Sequence, residues 1–267
     1  MNKARASNQG QQGTQIELWK AESVRLTAFP MPPFSPEKVT WWTDMAGLPP
    51  ETQVSQPRIG GLKEEGAWEQ GRLCLEMQPN RIDWHFLPVV TDDAGEKGVP
   101  VIGPFPDAVL KFIDMGRRWL AAPTTPKIQR LAFGAVLLQP VPDRKSGYMK
   151  MANYLKGSVT VDVDHSSDLT YSINRPRPSG AGVPKLDVNR LSKWSVMIWS
   201  RLLHIIPLTT TVDRKCTTGS QWYTCRLELD ISTAADFPEP MPLDKLEPVW
   251  DELVDLGKEI AEQGDIA

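Results

Sequence analysis

The chain has 267 residues, of which 30 are basic and 33 acidic, giving a formal net charge of −3. That length can bury a substantial core in one large domain or two small ones, and the near balance of charge excludes a global field that would draw the chain to nucleic acid or an anionic membrane. No apolar run approaches the roughly 20 residues that span a bilayer, and Cys74, Cys216 and Cys225 supply neither a disulfide framework nor a CxxC spacing.

The first fifteen residues, MNKARASNQGQQGTQ, are polar and lack both an apolar core and a cleavage site. They are expected to form a disordered tail (1–15) rather than a signal peptide. With reduced thiols, the expected location is cytoplasmic. The 24 prolines cut the rest into short pieces, in clusters such as FPMPPFSP, FPEPMP and NRPRPSGAGVP, without a long linker to mark a domain boundary.

From Ile16 the elements follow an order that occurs twice. "IELWKAESVRLTAF" alternates as a strand, and "SPEKVTWWTDMAG" predicts a short helix capped by Ser35 with Pro36 in its first turn. Strands follow around "WEQGRLCLEM" and "RIDWHF". The helix "FPDAVLKFIDMGRRWLAA" then places Val109, Ile113, Gly116 and Leu120 at helical spacing. The second set begins with the strand "IQRLAFGAVLLQPV" and the short helix "SGYMKMANYL". "VTVDV" and "LTYSI" predict a hairpin, and "WYTCRLELDI" sets Tyr223, Cys225, Leu227, Leu229 and Ile231 on one face of a strand. "LDKLEPVWDELVDLGKEIAEQ" closes the chain as an amphipathic helix with a stripe of Leu246, Val249, Trp250, Leu253, Gly257 and Ile260; Asp244 and Glu247 resemble a capping box. Residues 190–206 fit either a helix or buried strands. The expected class is α+β: an antiparallel sheet built from two similar strand–helix–strands–helix halves, 16–122 and 123–267, with the amphipathic helix at the C-terminus.

Chemistry is concentrated in "LCLEMQPNRIDWHF", residues 73–86. Pro79-Asn80 signals a turn, and a hairpin centred there pairs Met77 with Ile82, Leu75 with Trp84 and Leu73 with Phe86, all on one face. The same register sets Cys74 against His85 and Glu76 against Asp83 on the other. Cys and His can form a nucleophile–base dyad or two soft metal ligands. No nucleophile turn, oxyanion signature or further ligand pair accompanies them, so a polar, solvated or partner-facing sheet face outweighs a reactive cluster.

Three other features carry less. "DVDHSSDL" places Asp162, Asp164, His165 and Asp168 together but lacks the glycine and distal glutamate of an EF-hand loop, and reads as a turn. The loop "NRPRPSGAGVPK" offers glycine N–H groups with Arg175, Arg177 and Lys185 as a site for a partner or an anion. It contains no nucleotide-binding P-loop motif. His204 lies in an apolar run and reads as a core histidine. Trp41, Trp42, Trp194, Trp199 and Trp222, half of the ten tryptophans, fall in apolar context and read as core.

"MQPNRIDWHF" followed by "FPDAVLKFIDMGRRWL", and "LELDI" ahead of the terminal helix, resemble a sporadically distributed bacterial family to which no activity is assigned. The resemblance runs from about Ile16 onward and departs at the proline-rich loop 174–187. It implies an accessory role in a bacterial defence or toxin–antitoxin system and transfers no catalytic residue. The reading is therefore a non-catalytic interaction or assembly protein. It needs no cofactor and no membrane, and it associates with itself or with a protein partner. The alternatives are a metal-dependent or thiol hydrolase built on Cys74, Glu76, Asp83 and His85, and a nucleic-acid-binding accessory protein using Arg175, Arg177 and Lys185.

Overall fold

Alternating apolar residues along most of the strands need one covered face, and the chain supplies it by laying every long strand into a single sheet. A computed structural model describes residues 18–36, 39–90, 98–202 and 218–266. Among these residues eleven strands form one antiparallel sheet. They are β1 (Lys20–Pro30), β2 (Thr52–Gln56), β3 (Gly61–Trp68), β4 (Gly71–Gln78), β5 (Arg81–Pro88), β6 (Gly103–Pro104), β7 (Ile128–Val141), β8 (Thr170–Asn174), β9 (Arg177–Pro178), β10 (Asp187–Leu202) and β11 (Thr218–Thr233). Spatially the order is β2-β3-β4-β5-β1-β7-β11-β10-β8, with β6 beside β1 and β9 beside β10. The sheet is open, and β1 and β7 lie at its centre, paired from Lys20 opposite Leu138 to Pro30 opposite Ile128.

Among the described residues there are four α-helices, α1 (Trp41–Ala46), α2 (Leu110–Leu120), α3 (Arg144–Tyr154) and α4 (Leu243–Gln263). They cover one face. A Cβ on Gly257 of α4 would lie 2.7 Å from Phe133 of β7, one on Gly116 of α2 would meet Leu26 of β1 and Trp250 of α4, and one on Gly147 of α3 would meet Val196 of β10. These glycines let helix and sheet approach closely. Trp42 of α1 reaches Gly66 of β3 on the same face. Between the layers lies one core holding Leu73, Leu75, Met77, Ile82, Trp84 and Phe86 together with Leu227, Leu229, Ile231, Leu246, Val249 and Leu253. Two indole donors are tied down here: Trp250 Nε1 donates to the Ile113 carbonyl at 3.2 Å and Trp19 Nε1 to that of Ala261 at 2.9 Å.

Most of the sequence expectations fall on these elements, with four differences and one open alternative decided. The first helix begins at Trp41 rather than after Ser35; Thr40 precedes it, and its hydroxyl bonds the Asp44 carboxylate at 2.9 Å. "VTVDV" is not a strand: residues 159–162 run without regular structure between the turn after α3 and the turn at 163–165, and "LTYSI" pairs with β10 instead. Residues 190–202 are strand: Trp194 opposes Leu227 and Val196 opposes Cys225, so β11 supplies the partner that decides between the two periodicities. Asp244 and Glu247 make no capping box, as α4 starts after Pro242 without a side-chain cap bond. Trp41, Trp42 and Trp194 are core, whereas Trp199 and Trp222 face each other across β10 and β11, half-buried. The 1–15 tail, Cys216 and His204 lie outside the described residues.

Trp250 bridges α4, α2 and Phe133 of the sheet, with its ring 5.7 Å from the phenyl ring. Trp250→Ala is expected to lower stability by about 3–5 kcal/mol in urea unfolding, while Leu243→Ala, 63% exposed at the start of the same helix, should change it by less than about 0.5 kcal/mol.

Candidate functional site

The face of the sheet away from the helices carries the polar half of every alternating strand. The 73–86 hairpin has the expected register: Met77 opposes Ile82, Leu75 Trp84, Leu73 Phe86, Cys74 His85 and Glu76 Asp83, around a two-residue turn at Pro79-Asn80. Cys74, Glu76, Asp83 and His85 therefore stand together on the open face.

Their partners define what they can do. Asp83 is buried, accepts from Thr27 Oγ1 at 2.6 Å, and is gripped by Arg81 through Nε at 2.5 Å and Nη2 at 3.0 Å. Glu76 pairs with Lys63 at 3.4 Å. Both carboxylates are thus already neutralised by cations. Cys74 is 2% exposed, and burial pushes its thiol up to about 12, against the weaker pull of Lys63. Burial also lowers the pKa of His85, so the imidazole is neutral and the thiol stays protonated at neutral pH. No hydrogen bond joins the two, and the Cys74 sulfur instead points a weak bond at Glu76 Oε1, 3.9 Å away. A thiolate nucleophile needs the opposite environment, exposed and electropositive. Among the described residues no group of three or more His, Cys, Asp or Glu side chains is arranged to hold a metal.

The glycine loop 174–187 does gather an anion, and the anion belongs to the chain itself. Glu252 of α4 accepts from Gly180 N at 2.8 Å and Ser179 Oγ at 2.5 Å, with Arg177 at 3.9 Å. Arg175 is held in a two-pronged pair with Asp265 at 2.7 and 2.8 Å, and that guanidinium lowers the Asp265 carboxyl to about 2. Lys185 is exposed, with φ of 62°. The loop thus fastens the sheet edge to the C-terminal helix. In the "DVDHSSDL" turn, Asp162 accepts from the backbone N–H groups of Asp164 and His165, and Asp164 pairs with Lys145.

The site that sequence reading missed lies at the centre of the open face. A groove of about 470 Å³ runs over the middle strands, lined by Arg25, His85, Gly134, Leu191, Lys193 and Asp230 among others. One cross-strand row runs through it: His85 opposes Arg25, Arg25 opposes Gly134, Gly134 opposes Asp230, and Asp230 opposes Leu191, with Cys74 next in the row beyond His85. Beside that row Glu228 takes Lys193 at 3.4 Å and Arg226 at 3.1 Å, and Arg226 also holds Glu22 at 2.8 Å. The local signal was a glycine inside a strand, which marks a close approach of other groups; which groups approach it depends on strands β1 and β11, remote in sequence.

No protein-family model matches the chain, and no curated protein or solved structure is significantly similar to it.

Thiol protonation is directly measurable. At about pH 8, where an ordinary cysteine is partly thiolate, iodoacetamide followed by peptide mass spectrometry should leave Cys74 unlabelled in the native protein and label it after denaturation. Rapid native labelling of Cys74 would show an accessible, activated thiol.

Proposed function

We propose that the protein is a non-catalytic interaction or assembly protein whose open sheet face is the contact surface for a protein partner. The observation that carries this reading is the asymmetry of the sheet: helices occupy one face, while the other presents a lattice of paired charges with exposed Leu191 and Met197 among them. A mixed apolar and charged surface suits a partner that binds and leaves, since obligate interfaces are more apolar. The buried, protonated Cys74 and the cation-paired Glu76 and Asp83 weigh against the hydrolase alternative. Nucleic acid is disfavoured by the same lattice, because Lys63, Arg81, Lys193 and Arg226 on this face each have an acid beside them and Arg175 is bound to Asp265.

The same reading takes the sheet as two similar halves meeting at β1 and β7. Outward from that pair the order is β5-β4-β3-β2 on one side and β11-β10-β8 on the other, and each part of the chain carries one shorter and one longer helix, α1 with α2 and α3 with α4. A role beside a bacterial defence or toxin–antitoxin system belongs to the proposal through the family resemblance alone.

The face can be tested against the helices. Leu191→Asp, Met197→Asp and Lys193→Glu, all at exposed positions of β10, are expected to abolish recovery of a defined partner from native-host extract, whereas Lys258→Glu on α4 should leave it intact. Equal recovery by all four variants would remove the open face from the interaction.

A further inference from the structure

The groove at the centre of the open face contains one ion pair that its surroundings leave incomplete. Arg25 on β1 lies across Gly134 on β7 toward Asp230 on β11: a Cβ at Gly134 would sit 3.3 Å from Arg25 Nε and Nη2. The guanidinium stops short of its target, with Nη2 4.0 Å from Asp230 Oδ2. Among the described residues, Arg25 Nε and Asp230 Oδ1 are shielded from solvent and have no hydrogen-bond partner. The rest of both side chains is part-exposed, at 32% and 44%, and lines the groove. A shielded donor and acceptor left unpaired are costly. The neighbouring charges differ, because Glu228, Lys193 and Arg226 complete one another. His85, whose burial keeps it neutral, adds no charge to the row.

We propose that this groove binds a small zwitterion, an α-amino acid or a short peptide, with its carboxylate on Arg25 and its ammonium on Asp230. Charge balance selects that class. The lining contributes Arg25 and Lys193 against Glu228 and Asp230, so a polyanion meets two acids and a polycation two bases, while a neutral molecule with both signs meets complementary groups. In an α-amino acid the two charged groups are separated by one carbon, through two bonds of about 1.5 Å each. They can therefore engage a guanidinium and a carboxylate that stand 4.0 Å apart. Guanidinium N–H groups donate to both oxygens of a carboxylate in a planar fork, and the ammonium donates to the aspartate. Leu191 and Val136 on the lining provide apolar surface for an aliphatic side chain. Gly134 leaves room for the arrangement: a Cβ there would press on the Arg25 guanidinium at 3.3 Å, and a branched side chain would push further into its place. The proposal goes beyond the partner-binding reading and does not depend on it.

Isothermal titration of the full-length protein with the common L-amino acids and glycylglycine tests the proposal. L-leucine is set against its two halves, 4-methylpentanoate, which lacks the amine, and 3-methylbutylamine, which lacks the carboxylate. The expected result is saturable binding of at least one zwitterion below millimolar concentration, at least tenfold weaker for either half. Arg25→Gln and the near-isosteric Asp230→Asn should each lose at least tenfold with unchanged thermal unfolding. Gly134→Val should abolish binding. Saturation by none of the zwitterions, or equal affinity for the half-ligands, overturns the proposal on the wild-type protein alone. Undiminished affinity in Arg25→Gln and Asp230→Asn places the ligand elsewhere and overturns it equally. Neither result bears on whether the exposed positions of β10 hold a protein partner, so the two readings fail separately.

Discussion

The antiparallel pairing of β1 with β7 is the contact on which the rest depends. It joins strands from the first part of the chain, β2 to β5, to strands from the last part, β8, β10 and β11, in one sheet. With that seam in place, Leu26 and Phe133 stand side by side on one face and Arg25 and Gly134 on the other. One face is then apolar under the helices, and the other carries the paired charges with Leu191 and Met197 among them. The apolar face is broad enough to be covered by α2 and α4 packed against each other through Gly116 and Trp250, and neither part would have that cover alone.

The same seam explains why the polar face is lattice rather than crowd. Adjacent antiparallel strands hold opposed side chains within reach, as Lys63 faces Glu76 and Lys193 faces Glu228; Arg81 pairs with Asp83 and Arg226 with Glu228 along a single strand, and Arg226 also reaches Glu22 beyond the intervening β7. Individually, exposed pairs contribute little; collectively they fix side-chain positions and cancel the field of the face. What stands out against that background is the Arg25–Asp230 pair over Gly134, where the cancellation is left unfinished. The two groups that attract notice in the sequence, Cys74 and His85, lie further along the same row and are silenced by burial.

Local pattern carried the hairpin completely, because a two-residue turn and period-two alternation leave one register for residues 73–86. It also carried α4, whose stripe from Leu246 to Ile260 is buried throughout. It failed where the deciding partner is distant. Residues 190–202 became strand because β11 pairs with them, and "VTVDV" did not because nothing pairs with it. The basic glycine loop was legible as an anion cradle, but its anion, the Glu252 carboxylate, sits on a helix that enters the chain much later. The groove was illegible for the same reason, since its three central residues come from three strands whose adjacency only the sheet order reveals.

Native-state hydrogen exchange on backbone amides tests the seam most directly, since it resolves which strands open together. If β1 and β7 weld the sheet into one unit, their amides and those of β5 and β11 will share the slowest exchange and the same denaturant dependence. Should the strands on the β5 side exchange through an opening of their own, independent of β7 and β11, the sheet would be two separately stable parts in contact, and a groove that needs Arg25, Gly134 and Asp230 in one row would have no fixed floor.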